Sequence, residues 1–164
     1  MIRFGTSGWR GVVSDDFTFG NVRKVAHAVS GALKESPEVG YNSDEYRASL
    51  GGEAVSRVPT VVLGYDTRFM SEDFAREVTL VLANDGVKTL VAKGDIPTPA
   101  LGWAVIKRKA VGGAMITASH NPGQYNGFKW MPYWGGAAPL TVTDDLERRI
   151  ELLGDHAVKA MTEE

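Results

Sequence analysis

A serine on a loop of small residues, with a lysine ten positions after it, is the part of this sequence best suited to chemistry. The serine is Ser119, within the run TASHNP at residues 117–122, and the lysine is Lys129. A serine hydroxyl is a weak nucleophile at neutral pH and needs a base, a metal or a covalent phosphate. Gly123 and Gly127 favour turns, so the loop can bend back and bring Lys129 towards Ser119. The pattern indicates phosphoryl transfer, although an ordinary hairpin with a capping serine fits the local sequence equally well.

Two further side chains are candidates for contacts with a phosphate. Arg10 lies between Gly8 and Gly11 in the sequence GWRG, and an arginine on a flexible backbone can donate two parallel hydrogen bonds to phosphate oxygens. His120 follows Ser119 directly, so it can orient a phosphate or donate a hydrogen bond to it. A backbone carbonyl that holds the ring for structural reasons is an equally good interpretation of this histidine.

Lys129 acts as a base only if its pKa is lowered. The usual pKa of a lysine is about 10.4, and desolvation or a neighbouring positive charge lowers it. Arg10 and His120 are the neighbours that the sequence offers. On a strand, Phe128 and Lys129 would point to opposite faces, so a buried Phe128 would direct Lys129 towards the loop. A solvated surface lysine is the alternative.

The elements that must position these residues alternate along the chain. Four helices are predicted from apolar residues at three-and-four spacing and from capping signals: 19–35, 71–86, 98–109 and 144–153. Four strands are predicted from short apolar runs: 60–64, 87–92, 112–117 and 127–131. The last strand is expected to be antiparallel, because its connection is too short for a crossover helix. This alternation predicts an α/β fold with a mostly parallel, four-stranded sheet between helices.

Loops and helix starts are predicted from polar and capping residues. Residues 40–58 are polar, with Gly51 near their centre and no periodicity, which predicts a long, mobile surface excursion. Ser71 is predicted to cap the second helix. Thr98 and Pro99 are predicted to be the N-cap and first residue of the third helix.

Bulk properties limit the class of protein. The chain has 164 residues, 43% of them hydrophobic, which is enough for one domain with a buried core. Eighteen basic and twenty acidic side chains give a net charge of −2, so neither nucleic acid nor a membrane is an expected partner. There is no cysteine and no apolar run long enough for a bilayer, so a cytoplasmic protein is expected.

Four segments resemble, in order, those of one enzyme family. The TASHNP run and the following YNGFK at 125–129 are similar to the active-site segment of the α-D-phosphohexomutases, the phosphoglucomutase and phosphomannomutase family. The opening FGTSGWRG at 4–11, GYDTR at 64–68 and GDIPTP at 94–99 also resemble family segments. The resemblance covers most of the chain but only the first of the family's four domains, so residues 1–164 are expected to be domain I. It implies a three-layer α/β/α sandwich with a mixed sheet.

The resemblance also implies a function and the residues that perform it. Ser119 would be a phosphoserine that hands its phosphoryl group to a sugar phosphate and receives the other one back from the bisphosphate intermediate, which interconverts hexose 1-phosphate and hexose 6-phosphate. The enzyme would be an isomerase that acts as an intramolecular phosphotransferase. Lys129 would be its general acid and base, and Arg10 would lie at the floor of the active site.

The same resemblance implies partners and a metal that this chain does not supply by itself. Family members hold Mg²⁺ with three aspartates of an Asp-x-Asp-x-Asp run in the second domain and with a phosphoserine oxygen. No such run occurs here, so Ser119, through its phosphate, would be the single ligand from this chain. The expected partners are a hexose phosphate and the remaining domains of the same polypeptide. The isolated domain is expected to be inactive.

Further residues are predicted to support the site or to contact a sugar. Asp66 and Arg68 are expected to form a buried ion pair that supports the site. Four aromatic residues are open to sugar stacking or to packing: Trp9, Trp130, Tyr133 and Trp134.

A non-catalytic module that binds a phosphosugar or another anion is the alternative function. A doubly wound nucleotide-binding domain is disfavoured, because no Gly-x-Gly-x-x-Gly follows a predicted strand.

Overall fold

A computed structural model describes residues 2–5, 8–36, 39–52, 58–154, 156, 158 and 159. Ten elements follow one another along the chain: β1 (Trp9–Val12), α1 (Phe19–Glu35), α2 (Asp44–Ser49), β2 (Thr60–Tyr65), α3 (Ser71–Asn84), β3 (Lys88–Val91), α4 (Thr98–Lys107), β4 (Gly112–Ile116), β5 (Tyr125–Pro132) and α5 (Leu140–Leu153). None of these helices is both long and apolar enough to cross a membrane.

The strands form one mixed sheet in the order β1-β5-β4-β2-β3. β2 pairs in parallel with β3 and β4, whereas β5 pairs antiparallel with β4 and with β1. Four of the five strands therefore point in the same direction. The mixed sheet and the antiparallel final strand are confirmed, and the predicted number of four strands was wrong.

The strand that the sequence did not predict is β1. Its residues, Trp9 to Val12, include a glycine and an arginine and carry no β-branched run, so they were interpreted as a glycine-rich loop. Pairing with β5, from Trp9 opposite Phe128 to Val12 opposite Tyr125, makes them a strand. A partner that is distant in sequence thus overrides weak local propensity.

Helices cover both faces of the sheet and make the three-layer α/β/α sandwich that the resemblance implied. Side chains alternate along each strand, so Val61 and Leu63 of β2 join the core cluster that also contains residues of α1, α3 and α5. Val62 faces the other way, into a smaller cluster with Leu101 and Val105 of α4.

The helix starts differ from the predictions by small but informative amounts. Met70, with a left-handed φ of 60°, is the N-cap of α3, so Ser71 is the first helical residue and not the cap. The Ser71 hydroxyl instead donates a hydrogen bond to Asp66 Oδ1, 2.8 Å away. Pro97 precedes α4, which makes Thr98 its first residue rather than its N-cap. α5 begins at Leu140, after Pro139, which is four residues before the predicted start.

Two predictions of exposure and burial were wrong. The surface excursion is packed structure over residues 39–52, where α2 buries Tyr46 and the Tyr46 hydroxyl donates to the Lys109 carbonyl at 2.9 Å. A single buried side chain on a six-residue helix leaves no periodicity to detect. Residues 53–57 of the predicted excursion lie outside the described residues. β3 was predicted as a buried strand, but it is an edge strand whose side chains are half-buried or exposed.

Candidate active site

Ser119 lies on the loop that joins β4 to β5, at the carboxyl end of β4. Thr117 and Ala118 before it are buried, whereas Ser119 itself is exposed. Its φ of 59° is left-handed, a conformation that costs a non-glycine residue roughly 1–3 kcal/mol and persists only where the surrounding structure enforces it. The Ser119 amide donates to Thr117 Oγ1 at 2.9 Å. The turn therefore projects the serine away from the core.

The loop is closed by hydrogen bonds of its own. The amide and the side-chain Nδ2 of Asn121 both donate to the Ala118 carbonyl, at 3.1 and 2.8 Å. The Tyr125 amide donates to the Pro122 carbonyl at 3.0 Å. These bonds fit the prediction that the Asn-Pro-Gly segment bends the chain back, and the next residues run directly into β5.

Arg68, from the loop after β2, donates hydrogen bonds to four carbonyls of the serine loop. Nη2 donates to the carbonyls of Ser119 and Asn121, at 2.9 and 2.5 Å, and Nη1 to those of Pro122 and Tyr125, both at 2.9 Å. No pattern in the sequence indicates these contacts, because the acceptors are backbone carbonyls that carry no side-chain identity.

The predicted pairing of Asp66 with Arg68 is present as a secondary contact. Arg68 Nε lies 3.5 Å from Asp66 Oδ2, and the two side chains are 15% and 24% exposed, so the pair is only partly buried. Asp66 Oδ1 accepts hydrogen bonds from the Arg68 amide and from the Ser71 hydroxyl, at 3.0 and 2.8 Å. Asp66 thus holds the backbone amide of Arg68, while most of the guanidinium donors bind the serine loop.

Lys129 lies on β5, and it alternates with Phe128 as predicted for a strand, while its predicted direction towards the serine loop stays a prediction. Phe128 is fully buried on the α1 side of the sheet, so Lys129, the next residue, points to the opposite face. Burial lowers the pKa of Lys129 below its usual value, and the positive charge of Arg10 lowers it further, while Asp66 opposes this shift. Desolvation and a neighbouring positive charge are the two causes by which a protein lowers the pKa of a lysine.

Arg10 lies on β1 opposite Gly127, not on a free glycine-rich loop. A Cβ added to Gly127 would lie 2.6 Å from the Thr117 carbonyl oxygen and 3.1 Å from Arg10 Cγ, so the absence of a side chain there lets Arg10 lie across β5. Arg10 and Lys129 consequently occupy the same face on adjacent strands, on a diagonal of the antiparallel pair. The Thr6 and Ser7 part of the opening segment lies outside the described residues.

His120 is exposed. Its ring forms no hydrogen bond with the residues that the structure describes, a carbonyl of which was the structural interpretation of this histidine. Its predicted contact with a phosphate stays a prediction.

A cavity of about 200 Å³ lies beside Lys129. Its wall also includes Gly8, Thr98 at the start of α4, and Ala137, but not Ser119. The structure therefore places Lys129 beside Arg10 on one face of the sheet, and Arg68 against the serine loop.

The aromatic residues divide between packing and exposure. Trp9 and Trp130 are 3% and 4% exposed and belong to the core, so packing is the correct interpretation for them. Tyr133 and Trp134 form an edge-to-face pair with ring centroids 4.9 Å apart, and Trp134 is 39% exposed. Sugar stacking stays open only for these two.

No group of three or more histidine, aspartate or glutamate side chains that could hold a metal ion occurs among the residues that the structure describes. These residues therefore do not form a metal centre by themselves.

Comparison with known proteins gives a consistent result. Residues 1–155 match the family described as phosphoglucomutase/phosphomannomutase, alpha/beta/alpha domain I. The phosphoglucomutase of Staphylococcus saprophyticus is 35% identical over 151 residues, which are 92% of this chain and 24% of that protein. A protein of Methanosphaera stadtmanae, named as a probable phosphoglucosamine mutase, is 35% identical over 150 residues, or 92% of this chain and 27% of that protein.

Solved structures agree with the sequence comparison. A crystal structure from Thermus thermophilus, assigned as a phosphomannomutase, superimposes with a TM-score of 0.76 at 35% identity, covering 99% of this chain and 32% of that one. The chain thus spans about a quarter to a third of the length of these relatives.

Proposed function

Because the chain belongs to the phosphoglucomutase/phosphomannomutase family, we propose that it is the domain I of a phosphohexomutase and that Ser119 carries the transferred phosphoryl group. The observation that carries this proposal is the exposed Ser119, whose left-handed φ of 59° lies in a loop that Arg68 binds at four carbonyls. The surrounding structure holds an unfavourable backbone conformation there, and such strain occurs preferentially at functional sites.

In the proposed reaction, a free hydroxyl of a hexose monophosphate attacks the phosphorus of phosphorylated Ser119. The bond from phosphorus to Ser119 Oγ breaks, a bond from phosphorus to the sugar oxygen forms, and the sugar hydroxyl loses its proton. The serine oxygen takes up one proton, so the half-reaction exchanges a phosphoryl group for a proton. The resulting bisphosphate then returns its other phosphoryl group to Ser119, which leaves the phosphate on the other sugar oxygen.

Lys129 is the proposed acceptor and donor of the sugar hydroxyl proton. Its lowered pKa supports this role, because a lysine with its usual pKa near 10.4 is almost wholly protonated at neutral pH. Arg10 lies on the same face and is the proposed donor to phosphoryl oxygens, where charge accumulates during transfer. His120 is proposed to contact the phosphate on Ser119 from the solvent side.

Magnesium enters the proposal through the resemblance alone. A phosphate on Ser119 would offer it one oxygen ligand, and the carboxylate ligands would come from residues other than those described here. No step of the transfer is assigned to the metal. The hexose phosphate and further domains of the same polypeptide are the proposed partners.

The location of covalent phosphate tests the proposal. The measurement is intact-mass analysis of the full-length protein that the gene encodes. We expect it to show a phosphate adduct that is absent from Ser119→Ala. Ser14→Ala is the matched control, because Ser14 is also exposed and has a left-handed φ of 72°. An adduct that persists in Ser119→Ala would refute the carrier role.

A module that binds a phosphosugar or another anion without catalysis is the second candidate. The cavity beside Lys129 favours it, since the cavity wall does not include Ser119. For such a module, we would expect binding of hexose phosphates with no covalent phosphate on Ser119, and loss of binding in Lys129→Ala.

A further inference from the structure

Arg68 lies outside the residues to which the proposed reaction gives a chemical role, yet it binds the serine loop directly. Its guanidinium donates to the carbonyls of Ser119, Asn121, Pro122 and Tyr125 at distances of 2.5 to 2.9 Å. Hydrogen bonds from a charged donor are stronger than those between neutral groups. Four carbonyls that converge on one guanidinium fix the path of the loop.

The backbone of Arg68 is itself held in place by hydrogen bonds. Its amide donates to Asp66 Oδ1 at 3.0 Å, and the same oxygen accepts from the Ser71 hydroxyl at 2.8 Å. Ser71 Oγ accepts a hydrogen bond from the buried Asn126 Nδ2 at 3.0 Å. A network of hydrogen bonds therefore connects the end of β2 and the start of α3 to both ends of the serine loop.

This network matters for function because it holds the loop in which Ser119 has a left-handed φ. A single serine does not keep such a backbone angle in a free loop, because a residue with a Cβ disfavours it. The carbonyl of Ser119 is itself bound to Arg68 Nη2, at 2.9 Å. Holding that carbonyl fixes the orientation of the peptide that follows Ser119.

We propose that Arg68 is a positioning residue that holds Ser119 in the left-handed conformation from which its oxygen accepts and delivers the phosphoryl group. This role rests on the proposed transfer at Ser119. Arg68 acts through the backbone of the loop and touches neither sugar nor phosphate in this proposal. A lysine replaces it only in part, since an ammonium is a compact charge with three donors and lacks the planar fork.

Replacement of Arg68 by alanine and by lysine tests the proposal. Arg149→Ala is the matched control, because the side chains of Arg149 and Arg68 are both 15% exposed. Arg149 pairs with Asp145 and Glu35, on α5 and α1, instead of with the loop. All variants are made in the protein as its gene encodes it, and a thermal unfolding curve confirms that each one folds.

Two readouts distinguish positioning from general stability. The first is the rate at which Ser119 takes up phosphate from a hexose bisphosphate, together with the KM for that compound. We expect about a 100-fold slower uptake in Arg68→Ala, with little change in KM, because a displacement of about 1 Å has effects of this size. Arg68→Lys is expected to be intermediate and Arg149→Ala to match the unsubstituted protein.

The second readout is amide hydrogen exchange. We expect the amides of Ser119 and Asn121 to exchange faster in Arg68→Ala, while the Thr117 amide, which donates to the Gly127 carbonyl at 2.9 Å, stays protected. Unchanged uptake in Arg68→Ala, or an equal loss in Arg149→Ala, would overturn the positioning role. If the unsubstituted protein takes up no phosphate at Ser119, the proposed function fails, and the exchange of the loop amides still decides whether Arg68 holds the loop.

Discussion

Ser119 is exposed to solvent and has a left-handed φ, a backbone conformation that any residue with a Cβ disfavours. A surface serine without such constraint would relax to a conformation of lower energy, so the loop hydrogen bonds must supply the difference. Lys129 shows the converse arrangement, a cationic group that is partly desolvated beside a second positive charge. Both residues are held in states that cost stability, as residues of reactive sites commonly are.

The electrostatic environment of Lys129 leads to a pair of opposite predictions. Arg10→Gln removes a positive charge that lowers the Lys129 pKa, so we expect that pKa to rise towards its usual value. Asp66→Asn removes a negative charge that raises it, so we expect the pKa to fall further. A ¹³C NMR titration of the Lys129 side chain would measure both shifts. Shifts of the same sign in the two variants would contradict this account of the site.

The candidate residues of the site were accessible from the sequence to different degrees. Ser119 and Lys129 could be selected as candidates, because a nucleophile, turn formers and a lysine are side-chain identities that a sequence displays. Arg68 was predicted to pair with Asp66, whereas its four bonds to the serine loop go to backbone carbonyls. The position of a carbonyl depends on the folded path of the chain, so no sequence pattern could indicate those contacts.

Among the strands, the β4–β5 hairpin sets the geometry around Ser119. Gly127 faces Arg10 on one side, and its carbonyl accepts the Thr117 amide on the other. A side chain at this position would contact backbone oxygens, which cannot move without disturbing two strands. The hairpin thus depends on a glycine for close approach of its neighbours and not for a turn.

We therefore predict that an alanine substitution destabilises the protein more at Gly127 than at Gly123. In Gly127→Ala, the new Cβ would lie 2.6 Å from the Thr117 oxygen and 2.7 Å from the Trp9 oxygen. We expect the free energy of unfolding to fall by about 1–3 kcal/mol, as for other overpacked sites. Gly123→Ala is the control, because a Cβ there meets nothing within 4 Å, and its effect should stay within about 1 kcal/mol. Equal effects in urea unfolding would argue against the packing at Gly127.

Element boundaries and types show why some of the fold was predictable. Helix α1 was predicted over its observed range, Phe19–Glu35, because 17 residues with a continuous apolar face carry a strong periodic signal. Strand β1 has four residues, and helix α2 has six. Such short segments take their conformation from partners elsewhere in the chain, from β5 for β1 and from the contact of Tyr46 with Lys109 for α2.

In the fold as a whole, the serine loop lies at the carboxyl end of the interior strand β4. The carboxyl ends of β2 and β4, which run parallel and side by side, lead into the Arg68 segment and the Ser119 segment respectively. In open α/β sheets, ligands commonly bind at the carboxyl ends of the strands. Under the proposed function, the cavity beside Lys129 and the exposed Ser119 would be parts of one larger site.

The length of the relatives gives a prediction for the 164 residues alone. The chain corresponds to 24% and 27% of the two curated relatives compared above, so about three quarters of each relative has no counterpart in these 164 residues. We expect the 164-residue chain to fold, as judged by a cooperative thermal transition in circular dichroism, and to show no detectable turnover of glucose 1-phosphate with Mg²⁺. Robust mutase activity of these residues alone would contradict the assignment to a single domain.

The movement of a labelled phosphoryl group separates a carrier from a residue that is merely phosphorylated. The protein as its gene encodes it would be labelled on Ser119 with radioactive phosphate from a hexose bisphosphate, freed of excess label and mixed with unlabelled hexose monophosphate. We expect the label to leave Ser119 and to appear in hexose phosphates, with Ser14→Ala behaving as the unsubstituted protein. Label that stays on Ser119, or that is released only as inorganic phosphate, would contradict phosphoryl transfer through this serine.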